Sequence, residues 1–203
     1  MTDMFLIWSE SLTIGDQPWL SELLVLAVLL VMAVLLILMY LFRNSLRYWW
    51  EGRQISRAAK RLGARMLHDV NLPDGMGGEI SIDFLVLSTD AILVIGVKRY
   101  DGMIFGGART DVWTQTISSR SYKFPNPDNY LLQQVGVVRS IVPETPIRGM
   151  HLFTDKAIFP WDKPSNVLQV KDLRSNSTRR SKLKDIPVEL RAAWTQITRS
   201  LNK

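Results

Sequence analysis

Residues 79–102, EISIDFLVLSTDAILVIGVKRYDG, decide how this chain folds. They read as two strands joined by a tight turn at Ser88-Thr89-Asp90. Strand side chains alternate with period two, which predicts Glu79, Ser81 and Asp83 on one face of the first strand. Gly96, Lys98 and Tyr100 share a face of the second strand by the same rule. A carboxylate on one strand beside a lysine on the next suits metal-assisted phosphate chemistry. Gly96 stands where such a site would want its second carboxylate.

Working outward, Met66–Leu72 predicts a preceding strand, closed by the turn residues Pro73-Asp74-Gly75. Met103–Phe105 and Val112–Ile117 predict further strands, with a bend at Gly106-Gly107. Pro125-Asn126-Pro127 breaks the pattern, and Asp128–Ile141 reads as a helix with Asp128 near its start. Gly149–Phe153 and Val167–Val170 are expected strands. A final helix from Pro187 to Leu201 carries Leu190, Ala193, Trp194 and Ile197 at helical spacing. Residues 171–184, KDLRSNSTRRSKLK, are basic and serine-rich and read as a surface loop. Strands and helices in this order predict an α/β arrangement around one mixed sheet.

Ahead of this lies Leu23–Phe42, LLVLAVLLVMAVLLILMYLF, a run of uncharged residues without glycine or proline. At about 1.5 Å per residue it spans about 30 Å, the hydrocarbon thickness of a bilayer. Trp19 lies at one end and Tyr48, Trp49 and Trp50 at the other, suiting interfacial belts. Residues 1–22 hold four acidic side chains and no Lys or Arg. Arg43, Arg47, Arg53, Arg57, Lys60, Arg61 and Arg65 follow the run. The positive-inside rule then predicts an outer N-terminus and a cytoplasmic C-terminal domain at the inner membrane. The acidic start and bulky exit argue against a cleaved leader. The expected plan is a short outer segment (1–22), a transmembrane helix (23–42), a basic juxtamembrane helix (43–65) and a domain (66–203). The juxtamembrane cations suit anionic lipid, at about 1 kcal/mol each, or serve as an ordinary positive flank.

The chain has 203 residues and a net charge of +6. All 25 basic residues and 15 of the 19 acidic ones lie beyond residue 22, a net of +10. Such a region attracts nucleic acid or lipid headgroups, and charge alone does not choose between them. No cysteine is present, which excludes disulfides, thiolate metal sites and a cysteine nucleophile. His68 and His151 are too few and too far apart in sequence to suggest a zinc site.

The ordered set of His68-Asp69-Val70, Leu72-Pro73, Gly78-Glu79, Ile82-Asp83, Leu93-Val94-Ile95, Val97-Lys98, Tyr100, Gly102, Trp113 and Phe124-Pro125-Asn126-Pro127 resembles the nuclease-related domain family. That family is a branch of the PD-(D/E)XK restriction-endonuclease-like superfamily, and the resemblance covers roughly residues 60 to 142. It implies a restriction-endonuclease-like mixed sheet flanked by helices, here preceded by one transmembrane helix. It also implies Mg²⁺ or Mn²⁺ held by carboxylates, with Asp83 and Glu79 as metal ligands and Lys98 as the catalytic lysine. The cation would polarise a phosphoryl group and activate water, while the lysine stabilises charge on the phosphoryl oxygens. Two positions depart from the pattern. Gly96 replaces the acidic residue of Glu-x-Lys, and Tyr130 replaces a glutamine, with Gln133 and Gln134 one turn further on.

The resemblance therefore implies a membrane-anchored, nucleic-acid-binding domain with weak or lost cleavage. An active nuclease carrying its ion on Glu79 and Asp83, or a tethered protein-interaction module, are the alternatives. Several of these residues also have plain structural roles open to them. Asp83 would serve as a strand start and Glu79 as a partner for the glycine turn. Trp113 and His68 suit core or structural positions, and Gly102 a turn of positive φ.

Overall fold

The computed structural model describes residues 18–107, 109–161, 163–175 and 182–201. Helix α1 (Pro18–Ala59) is followed by β1 (Arg65–Pro73), β2 (Glu79–Leu87), β3 (Ile92–Lys98), β4 (Gly102–Phe105), β5 (Val112–Ile117) and β6 (Arg120–Pro125). Then come α2 (Asp128–Ile141), β7 (Ile147–Phe153), β8 (Ala157–Ile158), β9 (Val167–Gln169), α3 (Val170–Ser175) and α4 (Val188–Ser200). The chain divides within α1 into two compact units, one ending at Trp49 and one starting at Trp50.

In the first unit, Ser21–Arg43 has a mean hydropathy of 3.2 and is long and apolar enough to cross a membrane. Every Leu, Val, Ile and Met from Leu23 to Phe42 is exposed, unlike the buried helix of a soluble core.

The second unit is built on a five-stranded mixed sheet in the order β1-β2-β3-β7-β9. β1, β2 and β3 pair antiparallel, while β3, β7 and β9 run parallel. Helices α2 and α4 cover one face. Leu131, Val135 and Val138 of α2 and Leu190, Trp194 and Ile197 of α4 pack there with Leu85, Leu87, Ile92 and Val94. The end of α1 and α3 cover the other face, where Ile55, Ala58 and Ala59 meet Phe84, Val86, Leu93, Ile95 and Leu173.

The helix after the apolar run was expected to reach Arg65, but α1 ends at Ala59 and β1 starts at Arg65. Ile55, Ala58 and Ala59 are spaced to form one apolar stripe, and burying that stripe docks the last turns of α1 on the sheet. The helix ends at Ala59 because the chain must pass close over Leu87. The N–H of Ala64 bonds the Leu87 carbonyl at 2.9 Å, and a Cβ on Gly63 would collide with that same carbonyl.

A second sheet, absent from the sequence reading, has the order β6-β5-β4-β8. β6 and β8 are short and mostly exposed, and they pair with β5 and β4. Ile104, Trp113, Phe153, Ala157 and Val167 form a third core cluster. Residues 171–184 are also more ordered than expected where described. Residues up to Ser175 belong to α3, and a 3-10 turn spans Leu183–Asp185; residues 176–181 lie outside the described residues. Asp172 anchors α3 by accepting the Gln169 N–H at 3.0 Å and pairing with Lys163. Arg61 closes its other end by donating to the Leu173 carbonyl at 2.8 Å.

Gly102 has φ +83, as expected for a turn of this kind, and an added Cβ would clash with the Thr116 carbonyl. The left-handed backbone and the clash act together, so Gly102→Ala is expected to destabilise the domain by about 1–3 kcal/mol. Urea unfolding of the full-length protein in detergent measures this; an unchanged midpoint contradicts it.

Candidate functional site

Strands β2 and β3 stay in register from Leu87↔Ile92 to Phe84↔Ile95 and then part. Asp83 stands at the parting, and its Oδ2 accepts the backbone N–H of Val97 at 2.7 Å. A side-chain carboxylate thus takes over from the ladder at the strand end. Lys98 is half-buried, and burial holds its ammonium below the usual lysine value while the nearby charge of Asp83 pushes it back up. Asp83 therefore lies close enough for its charge to act on Lys98.

Glu79 is not brought to them. Ile80 and Ile82 join the same core as Leu85 and Leu87, so the alternation of β2 slips by one residue at Asp83. β1 slips opposite it: the paired register runs His68↔Phe84 then Val70↔Ile82, and Asp69 between them has φ 50. The coupled slip corrects the expectation that Glu79, Ser81 and Asp83 share one face. Glu79 is exposed, pairs with Pro73, and lies four residues from Asp83. Four strand residues span about 13 Å, too far for both carboxylates to hold one ion. His68 is 68% exposed beside Asp69 and takes no part in the site. Asp101 turns to Lys156 at 4.0 Å instead.

Gly96 lies on the α2 face of β3, continuing the parity of Ile92 and Val94. A Cβ there would stand 3.5 Å from His151 Nδ1 and 4.0 Å from Gln134 Oε1. His151 is its direct neighbour in the parallel β3–β7 register. Its side chain is 1% exposed, and Nε2 bonds Asp128 Oδ1 at 2.8 Å. Asn166 Nδ2 donates to the same oxygen at 2.7 Å. Burial holds the His151 imidazole below its ordinary value against the pull of Asp128, and Lys98 adds to the lowering. Nδ1 has no hydrogen-bond partner among the described residues.

The Asn126-Pro127 turn positions this group. Asn126 Nδ2 donates to the Thr110 carbonyl at 2.8 Å, and its Oδ1 accepts the Asp128 N–H at 2.9 Å. That starts α2 with Asp128 over His151. One turn on, Gln134 is buried and donates through Nε2 to the Ser81 carbonyl at 2.6 Å. Tyr130, at the family's glutamine position, reaches the same carbonyl at 3.2 Å, while Gln133 is exposed. Gln134, not Gln133, is therefore the amide that faces the site. Sequence reading missed His151, Asp128 and Asn166 as a group because they come from three separate elements. The one local signal was a histidine inside the apolar strand Ile147–Phe153.

A mixed sheet flanked by helices, with Asp83 where β2 parts from β3 and Lys98 at the end of β3, defines an α/β domain. The nuclease-related domain profile matches residues 47–154, more than half of the chain, and the protein belongs to that family. This membership is consistent with the PD-(D/E)XK-like superfamily and with a nucleic-acid-related function. An uncharacterized protein of Bacillus anthracis is 24% identical over 137 residues, covering 62% of this chain and 65% of its own length. No solved structure matches the chain.

The side chains do not fit the paired-carboxylate Mg²⁺ or Mn²⁺ site of the resemblance. Gly96 supplies no side-chain oxygen, Glu79 is remote, and no group of three or more His, Cys, Asp or Glu is placed to hold a metal among the described residues.

Proposed function

We propose that this protein is a membrane-anchored member of the family whose C-terminal domain binds nucleic acid and cleaves it weakly or not at all. The observation that carries the reading is Lys98 held beside Asp83 at the end of β3, with Gly96 in the acidic position between them. A partly desolvated lysine at an exposed strand end gains by meeting a phosphate, which restores a counter-charge. Arg109, Arg120 and Lys123 add exposed positive charge around the second sheet. Asp83 and Lys98 alone supply one carboxylate and one cation, which suits phosphate binding better than phosphodiester cleavage.

Anchoring is supported by the exposed apolar stretch Ser21–Arg43 and by the charge asymmetry across it. In this reading residues 1–22 lie outside the inner membrane, 23–42 span it and 66–203 lie in the cytoplasm. Arg43 and Arg47, the first cations after the span, meet lipid headgroups, and the last turns of α1 close the domain.

Binding of single- and double-stranded DNA and RNA by the detergent-solubilised full-length protein, at 50 and 200 mM salt, tests the reading. Affinity is expected to fall with salt, and Lys98→Met to weaken it and flatten the logarithmic salt slope by about 1. The same substitution removes a desolvated charge, so it is expected to raise thermal stability. No binding at low salt would leave a protein-interaction module as the better description. Metal-dependent cleavage that disappears in both Asp83→Ala and Lys98→Ala would establish an active nuclease instead.

A further inference from the structure

The core uses only one face of the second sheet. Ile104, Trp113 and Ala157 are buried there with Phe153 and Val167. Strand side chains alternate, so their neighbours in the chain lie on the opposite face. The register arranges these in two rows. Ile158, Met103, Thr116 and Ser121 stand side by side in one, and Phe105, Thr114 and Lys123 in the other. Ile158 and Met103 are exposed. Trp161 joins the second row. Its ring meets that of Phe105 edge-on, with centroids 5.1 Å apart, and it is 74% exposed.

A tryptophan left so open adds little to folding, yet its contact with Phe105 holds the ring in place. A flat group of apolar and aromatic side chains on a sheet face marks a binding surface. Nucleic-acid bases stack on such rings whatever their sequence. Only an unpaired strand has base faces to offer, because duplex bases are already stacked on one another. Hydroxyls interleave the apolar residues, and those of Thr116 and Ser121 bond each other at 3.0 Å. Insertion into lipid would strip these hydroxyls of water, whereas base edges and phosphates bond them. Charge favours the same ligand. Lys123 is the one charged strand residue on this face, about 10 Å from Phe105 at two strand spacings. Neither Lys123 nor the exposed Arg109 and Arg120 has an ion-pair partner among the described residues.

We propose that the outer face of the second sheet is a stacking platform for single-stranded nucleic acid, with bases on Trp161 and Phe105 and a phosphate on Lys123. The proposal rests on the nucleic-acid reading above and names its substrate class, an unpaired strand held by its base faces rather than by its sequence. The platform continues from the strand end already described. β4 starts four residues past Lys98, a separation of at most about 14 Å, so one strand can lie along both.

The test uses the full-length protein in detergent at low salt. The probes are oligothymidylate of about 20 nucleotides, longer than one such site, and its duplex with oligoadenylate. The single strand is expected to bind at least about tenfold tighter than the duplex. Trp161→Ala is expected to weaken single-strand binding by about tenfold and to leave the duplex affinity and the salt slope unchanged, while Trp161→Phe retains binding. Lys123→Met is expected to flatten the logarithmic salt slope by about 1. Photocrosslinking of a strand carrying 5-iodouracil is expected to label Trp161, a readout that needs no variant. Equal affinity for the two probes, unchanged single-strand affinity in Trp161→Ala, or crosslinks confined to other residues would overturn the platform alone, since salt-dependent binding would leave the broader reading standing. No binding of either probe would overturn both. Unchanged strand binding with altered sedimentation of Trp161→Ala would give the face to a second copy of the chain instead. Quenching by brominated lipid in nanodiscs that drops in Trp161→Phe would give it to lipid, and either result overturns the proposal.

Discussion

Gly96→Glu raises the Mg²⁺ affinity of the full-length protein by at least about tenfold, because each added carboxylate tunes divalent-ion affinity over decades. The backbone accepts the change. Gly96 is not among the glycines of positive φ, and an added Cβ meets only ordinary van der Waals neighbours at 3.5 and 4.0 Å. The new carboxylate would emerge between Asp83 and Lys98 on one side and His151 on the other. Its charge also answers Lys98, whose ammonium is destabilised by burial. Titration calorimetry of the native protein and the variant measures this. No gain in Mg²⁺ affinity would mean that Asp83 and position 96 do not converge, and the inherited-site reading would fall with it.

Trp113→Ala is expected to lower stability by about 3–5 kcal/mol, the cost of removing a fully buried tryptophan. Trp113 is 0% exposed. Its ring lies parallel to Phe153 with centroids 6.3 Å apart and tilts against Phe124 at 6.2 Å. Its Nε1–H donates to the Gly107 carbonyl at 3.2 Å. The ring occupies the place where a side chain on Gly106 would project, so β4 and β5 close over it only because residue 106 is glycine. Truncation leaves the second sheet without the centre of its core. Urea unfolding decides the matter. A tryptophan that served as a stacking platform for bases would show the opposite pattern, with unchanged stability and weaker single-strand binding by about 1–3 kcal/mol.

The two Trp113 outcomes show how much of the fold was legible. Leu190, Ala193, Trp194 and Ile197 announced the buried face of α4 through helical spacing, and all four are buried. The β2–β3 hairpin and the start of α2 at Asp128 were equally plain, since turn residues and apolar runs act over a few positions. The second sheet was hidden because Arg120–Pro125 is short and largely exposed, and its pairing with β5 is what orders it. The slip at Asp83 was hidden for a related reason. A strict alternation predicts faces correctly only until two paired strands shift together, and the signal for that lies in the partner, Asp69 at φ 50.

Local forces wrote the apolar helix, the charge step after it and the central hairpin, and each of these could be read from neighbouring residues. The company Gly96 keeps was decided elsewhere. His151 reaches it through parallel pairing of β3 with β7, Gln134 and Asp128 through the packing of α2, and Asn166 through the segment before β9. These contacts join residues far apart in the chain, where burial of a shared core rather than local preference fixes who meets whom.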